Sequence, residues 1–204
     1  MKKFELTTEF ITNAFGKKLF RIKALVEFGD VKAGELGGYV EKEENVSQDG
    51  NAWVYGDARV SGNAWVYGNA KVYDDAWVHG NAKVFDNAEV SGDAKVYGNA
   101  RVSGDAKVYG NARVYGDARV SGNAWVSGDA DYALVQGFGT EFRCTTFYRG
   151  KNKKIMVNCG CFHGDLEGFR KQVKETRNGK IAKEYLMIAD LMEYHFTSED
   201  SSDE

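Results

Sequence analysis

The chain has no proline, three cysteines and three histidines in 204 residues. Without proline, turns must come from other residues, and 24 glycines are available for them. No apolar run approaches the length needed to span a bilayer, which excludes a transmembrane helix. The start, Met1-Lys-Lys-Phe-Glu5, lacks the apolar stretch of an export signal. The cysteines therefore read as reduced thiols of a cytoplasmic protein. A net charge of −3 implies no overall bias toward nucleic acid or membrane.

What the chain does have is a short repeat. Fourteen alanines stand six apart from Ala52 to Ala130, and thirteen valines from Val54 to Val126 keep the same step. The unit is Ala-x-Val-x-Gly-Asn/Asp, as in Ala52-Trp-Val-Tyr-Gly-Asp57. On a strand, residues two apart face the same side, so Ala and Val share the interior. Gly and Asn/Asp then turn the chain. Such units predict a solenoid, each strand pairing with its equivalent one coil away.

The unit resembles the hexapeptide repeat of left-handed parallel β-helices, in which three hexads make a triangular coil. The resemblance covers residues 51–130. The expected fold is an all-β solenoid with an N-terminal β cap and a small C-terminal α+β unit. The expected boundaries are a cap over 1–46, the β-helix over 47–131, the α+β unit over 132–197 and a disordered acidic tail over 198–204. In the α+β unit, Asp165 is a helix cap for Leu166, Phe169 and Val173. Ile181, Tyr185, Ile188, Ala189 and Met192 mark a second helix.

The segment from Ala24 to Ser47, with its Gly34-Glu-Leu-Gly-Gly38 break, followed by the hexads, carries a second resemblance that covers residues 24–130. It is similar to bacterial and phage proteins usually classed as transferases on fold grounds. That implies a phage or prophage protein in the cytoplasm of a bacterial host, and no established chemistry.

Three hexads per coil place residues 18 apart on one face. The first face would show Trp53/Tyr55, Lys71/Tyr73, Glu89/Ser91, Lys107/Tyr109 and Trp125/Ser127. The second would show Arg59/Ser61, Trp77/His79, Lys95/Tyr97 and Arg113/Tyr115. The third would show Trp65/Tyr67, Lys83/Phe85, Arg101/Ser103 and Arg119/Ser121. The outward positions 53–125 hold eight Lys/Arg, four Trp and one Glu, while acids gather at corners such as Asp57, Asp75, Asp93 and Asp129. Aromatic and cationic residues suit stacked bases and phosphates. They equally suit a protein interface, and as plain strand surface they need no ligand at all. The second face carries no acid at its outward positions. Its residues Arg59, Trp77, His79, Lys95, Tyr97, Arg113 and Tyr115 form the candidate ligand-binding patch.

Catalytic signals are sparse. An acyltransferase of this fold uses a general base, usually His, and His79 is the sole candidate in the repeat. No loop interrupts residues 51–130 to build a site around it, so it reads as a surface residue. A carbonic anhydrase of this fold needs three His ligands, which the repeat does not have. Ca²⁺ at the Asp column competes with ordinary turn chemistry. Cys159-Gly-Cys161-Phe-His163 is the one local motif with metal ligands, with Cys144 or His195 to complete a Zn²⁺ set. A straight strand spaces those ligands about 7 Å apart, so packed thiols are the favoured reading. No cofactor is expected. The function expected is a non-enzymatic binding or scaffold protein, homotrimeric, capturing a host protein or a nucleotide. The alternatives are a CoA-dependent acyltransferase working between subunits and a structural spacer for the C-terminal unit.

Overall fold

The computed structural model describes residues 2–197. The segment 198–204, expected to be a disordered tail, lies outside the described residues. From residue 53 to 126 the chain forms thirteen two-residue strands, β4 (Trp53–Val54) to β16 (Trp125–Val126). They stack in parallel with a register of 18 residues, as Trp77↔Lys95 and Lys95↔Arg113 show. Three sheets result, one for each expected face, so the molecule is a β-solenoid. Every Ala and Val from Ala52 to Val126 is at most 1% exposed. The fourteenth alanine departs from the pattern. Ala130 is exposed in a short 3-10 turn, Asp129–Asp131, where the repeat ends.

Backbone bonding gives the stack a polarity. In each hexad the two strand amides donate to the next coil, as Trp77 to Ala94 O and His79 to Val96 O, both at 2.9 Å, and at several corners a third does, as Asn81 to Gly98 O at 2.8 Å. Excess carbonyls therefore face the N-terminal end, and excess N–H groups face the C-terminal end. Buried groups of this kind need partners. The N-terminal cap brings donors: Lys3 Nζ reaches Gly50 O (3.3 Å) and Ala52 O (2.9 Å). Asn45 Nδ2 reaches Gly62 O (3.1 Å) and Ala64 O (2.8 Å). The C-terminal end brings acceptors. Thr146 Oγ1 takes the Arg119 N–H (3.0 Å), Asp129 Oδ1 the Arg113 N–H (3.0 Å) and Asp131 Oδ2 the Ser127 N–H (2.8 Å).

The N-terminal cap is a hairpin, β1 (Phe4–Thr12) and β2 (Lys18–Ala24), followed by β3 (Leu36–Val40). β3 joins the second face by pairing with β5 (Arg59–Val60). Of the glycines read as a pattern break, Gly37 and Gly38 lie inside β3. A Cβ at Gly37 would stand 2.6 Å from Ile22 and Trp53 side-chain atoms, and one at Gly38 would stand 2.5 Å from Ala58 O. Only glycine lets the chain pass this close.

The C-terminal unit is a four-stranded antiparallel sheet, β17 (Tyr132–Phe138), β18 (Arg143–Arg149), β19 (Ile155–Cys159) and β20 (Phe162–Asp165). Strand alternation gives it two working faces. Tyr132, Leu134, Tyr148 and Met156 pack on the solenoid core. Phe147, Val157 and Cys159 point the other way, toward α1 (Leu166–Thr176) and α2 (Gly179–Thr197). Asp165 caps α1, its Oδ1 accepting the Gly168 N–H at 2.9 Å. The sheet thus closes the solenoid's end on one side and holds the helices on the other.

Candidate functional site

The seven candidate residues lie on one sheet, as their spacing implied. Arg59, Trp77, Lys95 and Arg113 form one outward column through β5, β8 (Trp77–Val78), β11 (Lys95–Val96) and β14 (Arg113–Val114). Beside it His79, Tyr97 and Tyr115 form a ladder of rings. His79 and Tyr97 stack at 5.0 Å and 4°, and Tyr97 and Tyr115 at 5.4 Å and 16°. Trp77 leans on His79 at 4.4 Å, and Tyr115 meets Tyr132 edge-on at 6.1 Å. The ladder therefore runs unbroken into the C-terminal unit. Its rings spend their faces on one another, so a planar base cannot slip between them.

The charge environment is mixed. Asp75 and Asp93, each two residues before an outward side chain, line a shallow groove with Arg59, Trp77, Lys95, Asn111 and Arg113. Arg113 Nη1 lies 3.8 Å from Asp129 Oδ2. Among the described residues, Arg59 and Lys95 form no salt bridge. Two unpaired cations, Arg59 and Lys95, thus stand beside the carboxylates of Asp75 and Asp93. Burial, and then the nearby Lys95 charge, pull the His79 pKa below its ordinary value. The imidazole is therefore neutral near pH 7.

The other faces differ. Trp53 was expected on the surface of the first face, but it is fully buried. The cap covers it, with Phe4 and Phe28 rings edge-on at 5.8 and 5.3 Å. The cations of that face are satisfied: Lys107 bonds Glu89 at 2.9 Å, and Lys71 bonds Asp30. The third face has its own stack, Trp65 on Tyr67 at 4.0 Å and Tyr67 on Phe85 at 4.9 Å.

The Cys-x-Cys-x-His run is not one straight strand. Cys159 pairs with Phe162 and Asn158 with His163, so Gly160 and Cys161 are a hairpin turn. Gly160 takes φ +62, the left-handed region that suits such a turn. The turn sends Cys159 toward the helices, where Thr145 Oγ1 donates to its sulfur at 3.1 Å. His163 goes to the solenoid side, within 3.2 Å of where a Cβ on Gly122 would stand. Alternation had put both thiols and the imidazole on one side, and the turn separates them. Among the described residues no group of three or more His, Cys, Asp or Glu is arranged to hold a metal ion, the Asp corner included. No helix among them is long and apolar enough to cross a membrane.

Two features were not read from the sequence. One is Lys3, 3% exposed, with its ammonium 4.7 Å from the Phe28 ring centre. A single lysine at the start of a strand gives no signal of its contacts. The other is a second apolar stripe on α2, Met187, Leu191 and Tyr194, whose helical spacing was legible.

Residues 52–68, 64–80, 94–110, 106–118 and 112–128 match the family model described as the YdcK beta solenoid repeat. No curated protein matches the chain. The matched segments fall within the stacked hexads, and sequence pattern, register and family model agree that this chain is a repeat β-solenoid protein.

Proposed function

We propose that this protein is a non-enzymatic binding module that presents its second face to a protein partner. The observation that carries the proposal is the placement of two unpaired cations, Arg59 and Lys95, next to the Asp75 and Asp93 carboxylates and beside a closed aromatic ladder. Phosphates tracking Arg59, Lys95 and Arg113 would pass Asp75 and Asp93 and be repelled. Bases would find the ring faces covered. A protein surface carries both signs of charge and offers aliphatic stems for the ring edges, which suits this face better. A rigid, flat sheet also loses little conformational entropy on binding. These features favour a host protein over a nucleotide as the ligand we propose.

The acyltransferase alternative requires His79 to act as base. Its neutral state is suited to that, but Trp77 and Tyr97 cover the ring and no loop forms an acceptor pocket beside it.

The test compares wild type with Arg59→Glu/Lys95→Glu and with Arg101→Glu on the third face. Affinity capture from host extract should recover a partner with wild type and Arg101→Glu, and lose it with the double variant. Titration with mononucleotides, cyclic dinucleotides and single-stranded oligonucleotides at low salt should show no binding. Nucleotide binding that the double variant abolishes would replace the protein partner with a nucleotide. Acetyl-CoA turnover lost in His79→Ala would establish the acyltransferase instead.

A further inference from the structure

A cavity of about 80 Å³ opens between the C-terminal sheet and its two helices. Phe162, Phe169 and Val173 form its apolar wall. The Phe169 ring holds Phe162 at 5.6 Å and Tyr185 edge-on at 5.9 Å. Arg143 and Arg177 supply the charge, and both act electrostatically on the hydroxyl of the buried Tyr185. Two guanidiniums from distant parts of the sequence thus converge on one apolar cavity.

The backbone makes room for them. A Cβ on Gly160 would stand 2.6 Å from Arg143 Nη1. One on Gly139 would collide with the Tyr185 hydroxyl, which donates to Phe138 O at 3.2 Å. Phe142 takes φ 47, a conformation that a bulky residue seldom holds. The loop 139–142 thus bears strain while it carries Thr140 and Glu141 to the cavity. Both cations are available. Arg177 forms no ion pair or side-chain hydrogen bond among the described residues. Arg143 lies 4.0 Å from Glu141, and the two side chains are 50% and 65% exposed. Such a pair contributes little.

We propose that this cavity binds a small organic carboxylate, its charged end between Arg143 and Arg177 and its apolar end against Phe162, Phe169 and Val173. Guanidinium forks fit carboxylates, and pockets with an apolar wall and a few polar groups fix a ligand's orientation. Inorganic phosphate would leave the apolar wall uncovered, and an uncharged molecule would leave the guanidiniums unused. An engineered apolar cavity of roughly 150 Å³ holds benzene, so a space about half as large suits about three carbons beyond the carboxylate. This site is separate from the second face and does not depend on the function proposed for it.

Butyrate is the probe, with butanol and inorganic phosphate as controls. In an amide NMR titration of the full chain, butyrate should bind saturably at about 1–10 mM, as expected of so few atoms. The shifts should centre on Arg143, Cys161, Val173 and Arg177. Arg177→Gln should weaken binding at least about tenfold, the worth of a charged hydrogen bond. It alters an exposed side chain, so circular dichroism and melting should not change. Arg59→Gln, on the second face, should leave binding intact. Val173→Phe should fill the cavity and abolish binding, and if that variant does not fold, Arg177→Gln decides. No saturable shift up to about 50 mM butyrate would overturn the proposal, as would binding that Arg177→Gln leaves unchanged. Phosphate binding as tightly as butyrate would overturn the carboxylate class. Equal binding of butanol would overturn the role of the two arginines.

Discussion

Ala94 and Lys95 are adjacent, yet the fold makes them tolerate change very differently. Ala94 is fully buried between coils. Ala94→Leu overpacks that interior and should cost about 1–3 kcal/mol. Lys95 points outward, and Lys95→Leu should stay within about 0.5 kcal/mol. Equal melting temperatures for the two variants would refute the inward alternation. Lys3 gives a pH signature. Burial lowers its pKa from 10.5 to about 8. Below pH 8 the folded and unfolded chains both hold the proton, and the stability difference is constant. Between about 8 and 10.5 the unfolded chain holds it more, so stability should rise with pH. Above 10 the trend should turn down, because burial raises the Tyr132 and Tyr148 pKa values and the folded chain then keeps protons that the unfolded chain loses. Denaturant melts from pH 7 to 10 should show the rise, and Lys3→Met should flatten it.

Each corner of the solenoid is a turn that must also stack on the next coil. Gly80 has φ +73, and a Cβ there would lie 3.0 Å from Gly98 N. Gly80→Ala should therefore cost about 1–3 kcal/mol through backbone strain. Asp74 and Asp86 take the same left-handed conformation without being glycine, both at φ 59. Their carboxylates compensate by accepting the N–H of Gly92 (3.0 Å) and Gly104 (3.2 Å). Asp86→Ala should remove that bond and keep the strain, so it should lower the melting temperature more than Asp105→Ala, where φ is ordinary. Two of the three corner columns are also tied by side-chain amides, as in Asn63–Asn81–Asn99–Asp117 at 3.0–3.2 Å. The third corner holds Asp57, Asp75 and Asp93 and has no such ladder among the described residues, and it is one of the two corners that border the candidate face.

For the whole molecule, stability depends on closing both ends of an otherwise open stack. The C-terminal sheet inserts Tyr148, fully buried, into the solenoid core. Tyr148→Ala should cost about 3–5 kcal/mol, as for other large buried aromatics. A chain ending at 131 should expose the apolar interior and unpaired N–H groups, and light scattering should show it aggregating. The C-terminal unit therefore acts as an end plug, and α2 carries an outward ridge away from it.

The hexad pattern determined a solenoid, because period-two alternation and a turn every sixth residue bury every Ala and Val together. The resemblance to hexapeptide β-helices added three hexads per coil, and with it the register of 18 and the membership of each face. Helix spacing likewise placed α1 and the buried side of α2. Only the tertiary structure decided what the ends do to these faces. Trp53 has the same local sequence as Trp65, yet one is buried and the other exposed, because Phe4 and Phe28 of the cap lie over the first face and not over the third. Cys159 and His163 keep strand spacing, yet a turn at Gly160 sends them to opposite sides. Asp75 is a corner residue by pattern, and only stacking shows that its charge reaches Trp77 and Lys95. Contacts between segments far apart in sequence set these outcomes, and no local periodicity encodes them.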